Sequence, residues 1–435
     1  MAQTYKFGNG TFATKEGSLM SYNDEGGNFK PMPFSFSRNS IATRVNKEGL
    51  IEVVGKDIPR IDYTDSADGV LLLENSATNL LTYSEAFDNS YWTKSGSSVT
   101  SGFISPDGTN NAFKIIENID NVEHYIKRSI ANPIGFYTWS LFVKAEERKY
   151  IVFRTNADGG AYKNSCFDIE YGTIVYDGLH QSKAEIQQLN NGWFRISAYV
   201  KETSGTTRNY HIHISDTPIT DNGAISYQGD GTSGVYIYGA MLEQGSHPTS
   251  YLPTSGSTYQ RAAETANGSG NSEVFNDSSG VLFANISALS NDGTNRFVSI
   301  NSGSQTNRVA IYFDTSNNLN GQLRVGGSTQ ASITDSSLNI LNFNKVAFKY
   351  KQNDVSFYIN GFQIGVDNNA NVFTDGTLNS LNYDVGGGTL DFYGKTKEIA
   401  YYDEVLTDLE LETLTSYRTW EEMVKELNLN IIHNE

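Results

Sequence analysis

The sequence predicts an all-β protein of two β-sandwich or jelly-roll domains, with an irregular N-terminal arm and a short C-terminal helix. Segments such as Tyr137-Thr138-Trp139-Ser140-Leu141-Phe142-Val143 and Val355-Ser356-Phe357-Tyr358-Ile359 show near two-residue alternation, the period of a strand with one face in a core. Gly (40), Tyr (26) and Phe (23) are abundant, Pro (8) is scarce and 19% of residues are charged, a balance that favours strands and tight turns over helices. At 435 residues one hydrophobic core is not enough, so two or three modules are expected.

Residues 1–35 read as an arm punctuated by Phe7-Gly8-Asn9-Gly10 and Asp24-Glu25-Gly26-Gly27 and closed by Pro31-Met32-Pro33. Its Phe7, Phe12, Tyr22 and Phe29 have no core of their own, which makes it a candidate attachment segment. Residues 36–88 form a block of short strands, with Leu71-Leu72-Leu73 as a buried one. Residues 89–254 carry Tyr150-Ile151-Val152-Phe153, Trp193-Phe194-Arg195-Ile196-Ser197, Tyr210-His211-Ile212-His213-Ile214 and Val235-Tyr236-Ile237-Tyr238. With turns at Asn190-Asn191-Gly192 and Gly229-Asp230-Gly231 between them, these indicate a sandwich or jelly roll. Residues 255–275 are small and polar and read as a flexible linker. Strands return over 276–435, where Asn360-Gly361 is a hairpin signal because a type I′ turn needs positive φ at both positions. A helix starts at Thr407 as N-cap, with Asp408 and Glu410 in its first turn and Leu409, Leu414 and Tyr417 as apolar anchors; a second spans 419–427.

A formal charge of −17 without any Lys/Arg cluster argues against nucleic acid and acidic membrane surfaces as partners. No apolar run reaches the roughly 20 residues of a membrane helix. No basic-plus-apolar leader opens the chain either, so the expectation is a protein made soluble in a cytoplasm. Cys166, the single cysteine, reads as a small buried hydrophobe beside Phe167. Gly386-Gly387-Gly388 lacks a following Lys-Ser/Thr and helix, so it reads as a hairpin turn and not a phosphate loop.

Polysaccharide cleavage would need two carboxylates about 5 to 10 Å apart across a sugar cleft. Asp168 and Glu170, two apart on one strand, read instead as solvated decoration. His211 and His213 project to one strand face, but without a third ligand they read as a polar outward face beside aromatic cross-strand neighbours. Sugar binding asks for a flat aromatic against the pyranose ring and for Asp or Asn groups on its hydroxyls, in some sites through calcium. Asp367, Asn368, Asn369 and Asp375 carry such oxygens and are the candidate carbohydrate or calcium ligands. No catalytic residue, no dedicated metal site and no cofactor other than that calcium is expected.

Three stretches carry a resemblance. Ser37-Arg38-Asn39-Ser40-Ile41-Ala42-Thr43-Arg44, Pro59-Arg60-Ile61-Asp62-Tyr63, Gly69-Val70-Leu71-Leu72-Leu73-Glu74 and Asn79-Leu80-Leu81-Thr82-Tyr83-Ser84-Glu85 resemble the head-spike or head-fibre module of tailed bacteriophages. Gly239-Ala240-Met241-Leu242-Glu243-Gln244-Gly245-Ser246-His247-Pro248-Thr249-Ser250-Tyr251-Leu252-Pro253-Thr254 is similar to the last strand of carbohydrate-binding-like jelly rolls in phage fibres. Val355-Ser356-Phe357-Tyr358-Ile359-Asn360-Gly361, with Lys397-Glu398-Ile399-Ala400-Tyr401-Tyr402-Asp403-Glu404-Val405-Leu406-Thr407-Asp408-Leu409-Glu410, resembles the closing half of a concanavalin A-like, laminin-G-type lectin sandwich. The resemblance is to fibres of crAss-like and related phages of Bacteroidetes. It implies a non-enzymatic homotrimer on the virion surface, held to capsid or tail proteins through the N-terminal arm and touching host surface glycans. A tail-fibre receptor-binding protein and a polysaccharide depolymerase are the alternatives, and a secreted lectin is a third.

Overall fold

The computed structural model describes residues 4–25, 27–156, 161–178, 183–427 and 429. Strands dominate, and the α-helices among the described residues are α1 (Asp408–Thr415) and α2 (Trp420–Glu426). The chain divides into two compact units: Met1–Ile41, Val54–Asn75 and Ala262–Glu435 form one, Ala42–Val53 and Ser76–Arg261 the other.

The unit containing residues 76–261 is a sandwich of two six-stranded sheets. One runs Thr93–Ser95, Tyr125–Ala131, Thr207–Ser215, Tyr150–Asn156, Tyr162–Asp168, Thr173–Asp177. The other runs Ser97–Phe103, Ala112–Glu117, Gly234–Gln244, Gly135–Ala145, Phe194–Glu202, Glu185–Gln188. Neighbouring strands are antiparallel and mostly far apart in sequence, as in a jelly roll. The two-residue period sends Trp139, Leu141 and Val143 inward against Ile151, Phe153 and Ile212, and Trp139 stacks on Phe153 with centroids 3.9 Å apart. The Asn190–Gly192 turn is as expected, with Asn191 and Gly192 at φ 59° and 75°.

The other unit is also a sandwich, built on two large sheets, and it holds a four-stranded sheet as well. Its larger sheet has ten strands; Phe362–Asp367, Val355–Ile359, Asn344–Lys351, Ser279–Ala288 and Gly394–Tyr402 are successive neighbours. The smaller has five, in the order Ser328–Asp335, Leu319–Val325, Arg308–Phe313, Arg296–Asn301, Ser380–Asn382. Leu282, Val346, Phe348 and Ile399 of one sheet meet Val298, Ile300, Val309 and Ile311 of the other in the core. Asn360 and Gly361 take φ 50° and 88°, the positive pair a type I′ hairpin requires.

Helix α1 closes the outer face of the ten-stranded sheet, where Leu406 and Leu411 pack on Phe283, Ala347, Tyr358, Ala400 and Tyr402. Its start is the expected one: the Thr407 side chain accepts from the Glu410 N–H, and the Glu410 carboxylate accepts from Thr407. The anchors differ, since Leu409 is 72% exposed and Leu411 is fully buried. On a 3.6-residue helix the side chains at 411, 414 and 415 share the inward stripe, and 409 falls outside it.

Three expectations are corrected. Residues 5–31 are not a free arm: Tyr5–Gly8 adds to the ten-stranded sheet with Tyr5 opposite Tyr401 and Phe7 opposite Ile399, and both side chains join the core. Tyr5 and Phe7 are themselves a period-two pair, hidden by the glycines that follow. The 36–88 block is not one module, because the division between the units falls at 41/42, 53/54 and 75/76. The 255–275 stretch is not a linker. Tyr259–Arg261 pairs with Ala77–Asn79 in one unit; in the other, Thr265–Asn267 pairs with Phe34–Ser37 and Val274 and Phe275 enter the core.

Glu264, in that same stretch, is fully buried. Its carboxylate accepts from Arg38 Nη1 (2.7 Å), Arg60 Nε (2.9 Å), Arg60 Nη2 and the Glu74 N–H (2.9 Å), which uses every lone pair a carboxylate offers. Arg60 Nη1 also meets Glu74 Oε2 at 2.8 Å. Two arginines and two glutamates thus form a neutral cluster in the interior.

Candidate functional site

The five-stranded sheet carries no helix on its outer face among the described residues, in contrast to the α1-covered sheet behind it. Antiparallel register sets this face out in three rows. Phe297, Tyr312, Asn320 and Thr334 form the first. Asn382, Ser299, Ala310, Gln322 and Ser332 form the second. Ser380, Asn301, Arg308 and Arg324 form the third. The alternation that sends Val309, Ile311 and Phe313 into the core turns Arg308, Ala310 and Tyr312 to the other face, where Val385 packs over Ala310 and Phe297.

Tyr312 stacks on Phe297 with centroids 4.2 Å apart and planes 6° apart. The Arg308 guanidinium lies 5.7 Å from the Phe297 ring centre and donates through Nη2 to Gln322 Oε1 at 2.6 Å. Asn301, buried, donates to Ser299 Oγ at 2.9 Å, and Thr334 donates to Asn320 Oδ1 at 2.5 Å. An aromatic pair ringed by amides, hydroxyls and guanidinium groups is the chemistry that meets a sugar: an apolar plane and fixed hydrogen-bonding groups. Burial, with Arg324 beside it, pushes the Arg308 guanidinium down to about 10.

The candidate ligands named from sequence lie elsewhere. Asp367 ends the strand Phe362–Asp367 and its Oδ1 accepts from the Asn369 N–H at 2.8 Å, an Asx turn. Asn368, Asn369 and Asp375 are exposed turn residues. Among the described residues no group of three His, Cys, Asp or Glu side chains is placed to hold a metal ion. The ordered carboxylate nearby is Asp277, which accepts from the Thr377 and Leu378 N–H groups at 3.0 and 2.7 Å.

In the other unit, Asp168 and Glu170 do not share a strand face. The strand ends at Asp168, whose Oδ1 accepts from the Glu170 N–H at 3.0 Å, and Glu170 belongs to the turn that follows. His211 and His213 do share a face, but it is not outward: they are 4% and 0% exposed. Their rings stack 5.4 Å apart with planes at 4°, and Tyr125 lies 4.6 and 4.8 Å from them. Burial drives both imidazoles down, His211 to about 3, so both are neutral at pH 7. Cys166 is buried as expected, its thiol pushed up to about 11 by burial. The Gly386-Gly387-Gly388 turn is fastened by Asp384, whose carboxylate accepts from the Gly386 and Gly388 N–H groups.

One acid pair went unnoticed in the sequence. Glu85 and Asp107 both accept from the Tyr238 hydroxyl, at 2.9 and 3.0 Å. The phenol stands in the gap a glycosidic oxygen would need, so the pair reads as an internal hydrogen-bond network.

Residues 281–412 match the family described as the concanavalin A-like lectin/glucanases superfamily. That stretch contains all five strands of the sheet described above, so its outer face belongs to the lectin-type sandwich. No curated protein matches the chain. Among solved structures, the chain is similar to the Ruminococcus gnavus IT-sialidase CBM40, at 20% identity over 34% of this chain and 94% of that one, TM-score 0.30. It is also similar to a SAP-like pentraxin from Limulus polyphemus, at 17% identity over 32% and 70% of the two chains, TM-score 0.26. Domains LG4-5 of the mouse laminin alpha1 chain share 9% identity over 65% and 86%, TM-score 0.24.

The five-stranded face was within reach of sequence reasoning in part. Asn307-Arg308-Val309-Ala310-Ile311-Tyr312-Phe313 alternates cleanly, which puts Arg308 and Tyr312 together on the polar side. What the sequence does not show is that Phe297 and Arg324, from the flanking strands, fall directly opposite them.

Proposed function

We propose that this chain is a non-enzymatic carbohydrate-binding protein of a tailed-bacteriophage virion, a head fibre or spike whose lectin-type sandwich meets host surface glycans through the outer face of its five-stranded sheet. The observation that carries the glycan reading is that face: Tyr312, Gln322, Arg324, Ser332 and Thr334 reach its accessible part, beside a portion that Val385 covers at Phe297 and Ala310, on a sandwich that matches a lectin superfamily. The virion placement and the homotrimer rest on the sequence resemblance around Ser37–Arg44 and Gly239–Thr254. Attachment to capsid or tail is assigned to no segment, because residues 5–8 are built into the sandwich.

A glycan array probed with the intact chain tests the reading. Binding to a defined set of glycans is expected, to fall in Tyr312→Ala and Gln322→Ala, while a bound polysaccharide keeps its length on size-exclusion chromatography. A chain that retains no glycan, or that shortens one, would overturn it. Immunogold labelling of virions with an antibody to this chain tests the placement; bare capsids and tails in lysates that contain the protein would refute it.

A further inference from the structure

We propose that the group recognised on this face is an anion, a carboxylate or sulfate carried by a saccharide and taken between Arg308 and Arg324. This rests on the reading of the face as a glycan platform and names the class of glycan.

The two arginines are direct cross-strand partners, and like charges set opposite each other destabilise a sheet. Arg308 is 5% exposed, and a buried cation needs a counter-charge. Most of the other deeply buried arginines meet a carboxylate: Arg38 and Arg60 meet Glu264, Arg208 meets Glu202, and Arg296 meets Asp292, while Arg261 donates to the Ser250 hydroxyl. Arg308 instead donates to two neutral oxygens, the Gln305 carbonyl and Gln322 Oε1. Neither it nor Arg324 has an ion pair among the described residues, and the Nε of each lacks a hydrogen-bond partner.

A chain with 49 acidic and 32 basic residues is well supplied with carboxylates for such a pair. The local charge is therefore a feature of the face and not of the composition. The register sets the two arginines opposite each other, and Arg binds the oxygens of a carboxylate or sulfate bidentately. The ring of Tyr312, two rows away on the same face, is placed for the sugar that carries the anion. The net charge of −17 works against diffuse attraction of polyanions, so binding of one reports a local site.

The test uses the intact chain in biolayer interferometry against polygalacturonate for carboxylate, dextran sulfate for sulfate, and an array of neutral glycans. The chain is expected to hold one or both charged polymers, more weakly as NaCl rises. Loss of a charge-assisted hydrogen bond predicts about tenfold or greater weakening in Arg308→Gln and in Arg324→Gln, with part of the affinity kept in Arg308→Lys. Thermal melting separates this from misfolding, because Arg324→Gln should melt no lower than the parent. Charged-polymer binding unchanged in both Gln variants overturns the proposal. Binding to neutral glycans alone, dependent on Tyr312, also overturns it and leaves the glycan reading standing; no binding to any glycan removes both.

Discussion

Within the lectin-type unit, arginines are buried in two opposite ways. At Arg38, Arg60, Glu74 and Glu264 two positive and two negative groups close on each other in the interior, and the Glu264 carboxylate is fully hydrogen-bonded. On the outer face of the five-stranded sheet, Arg308 stands opposite Arg324 and donates to two neutral oxygens. The first cluster is self-sufficient and structural; the second is complete only when something negative arrives. Burial therefore does not separate scaffold from site here, and charge balance does.

The largest effect should come from breaking the balanced cluster. Glu264→Gln keeps the shape but turns an acceptor into an amide donor facing Arg60 and the Glu74 N–H, leaving buried positive charge uncompensated. Removing one partner of such a cluster costs about 3–5 kcal/mol, which urea unfolding of the intact chain would measure. A loss below about 1 kcal/mol would mean that water reaches the cluster and that its charges are not truly interior.

Glu264 also shows where sequence reading runs out. It lies in a stretch whose Ser, Thr, Asn and Gly content reads as a linker, yet Ala266, Val274 and Phe275 are core residues there. Composition averages over a window, whereas three-residue strands and single anchors are decided residue by residue. The all-β class was legible because Tyr137–Val143 and Val355–Ile359 alternate over enough residues to outweigh local noise. The N-terminal strand was missed because Tyr5 and Phe7 offer only one period before Gly8, and their partner, Gly394–Tyr402, lies at the other end of the chain. The same gap hid the site: each of Phe297, Tyr312, Arg308 and Arg324 reads as an ordinary strand residue until register sets them in two cross-strand pairs on one face.

Between the extremes lies Arg296, at the start of a strand of the same sheet, with its own acid. Arg296 Nη2 meets Asp292 Oδ1 at 2.7 Å, and the Ser290 hydroxyl donates to Asp292 Oδ2 at 2.7 Å. Burial alone would raise the Asp292 carboxyl; Ser290 and Arg296 outweigh it and hold the group at about 2 against its ordinary 3.8. A folded value below the unfolded one gives stability that is fully present above about pH 4 and is lost as pH falls toward 2. The depression amounts to about 2 kcal/mol. Urea midpoints of the parent and Asp292→Asn should differ at pH 6 and converge near pH 2. A gap of equal size at both values would show that the carboxyl is not depressed.

The smallest expected change has the opposite sign. Arg324→Gln removes one of two like charges that no carboxylate among the described residues pairs with, so the free chain should gain about 0.2–1 kcal/mol, seen as a slightly raised melting temperature. The gain should shrink as NaCl rises from about 0.05 to about 0.5 M, because Arg324 is partly exposed and salt screens the repulsion in the parent. Glu264→Gln should show no comparable rescue by salt, its charges being shut away from solvent. If Arg324→Gln instead lowers the melting point at every salt concentration, the guanidinium is packing the sheet like any other side chain. The two regions would then differ in degree, and the charge imbalance would no longer mark one of them as a site.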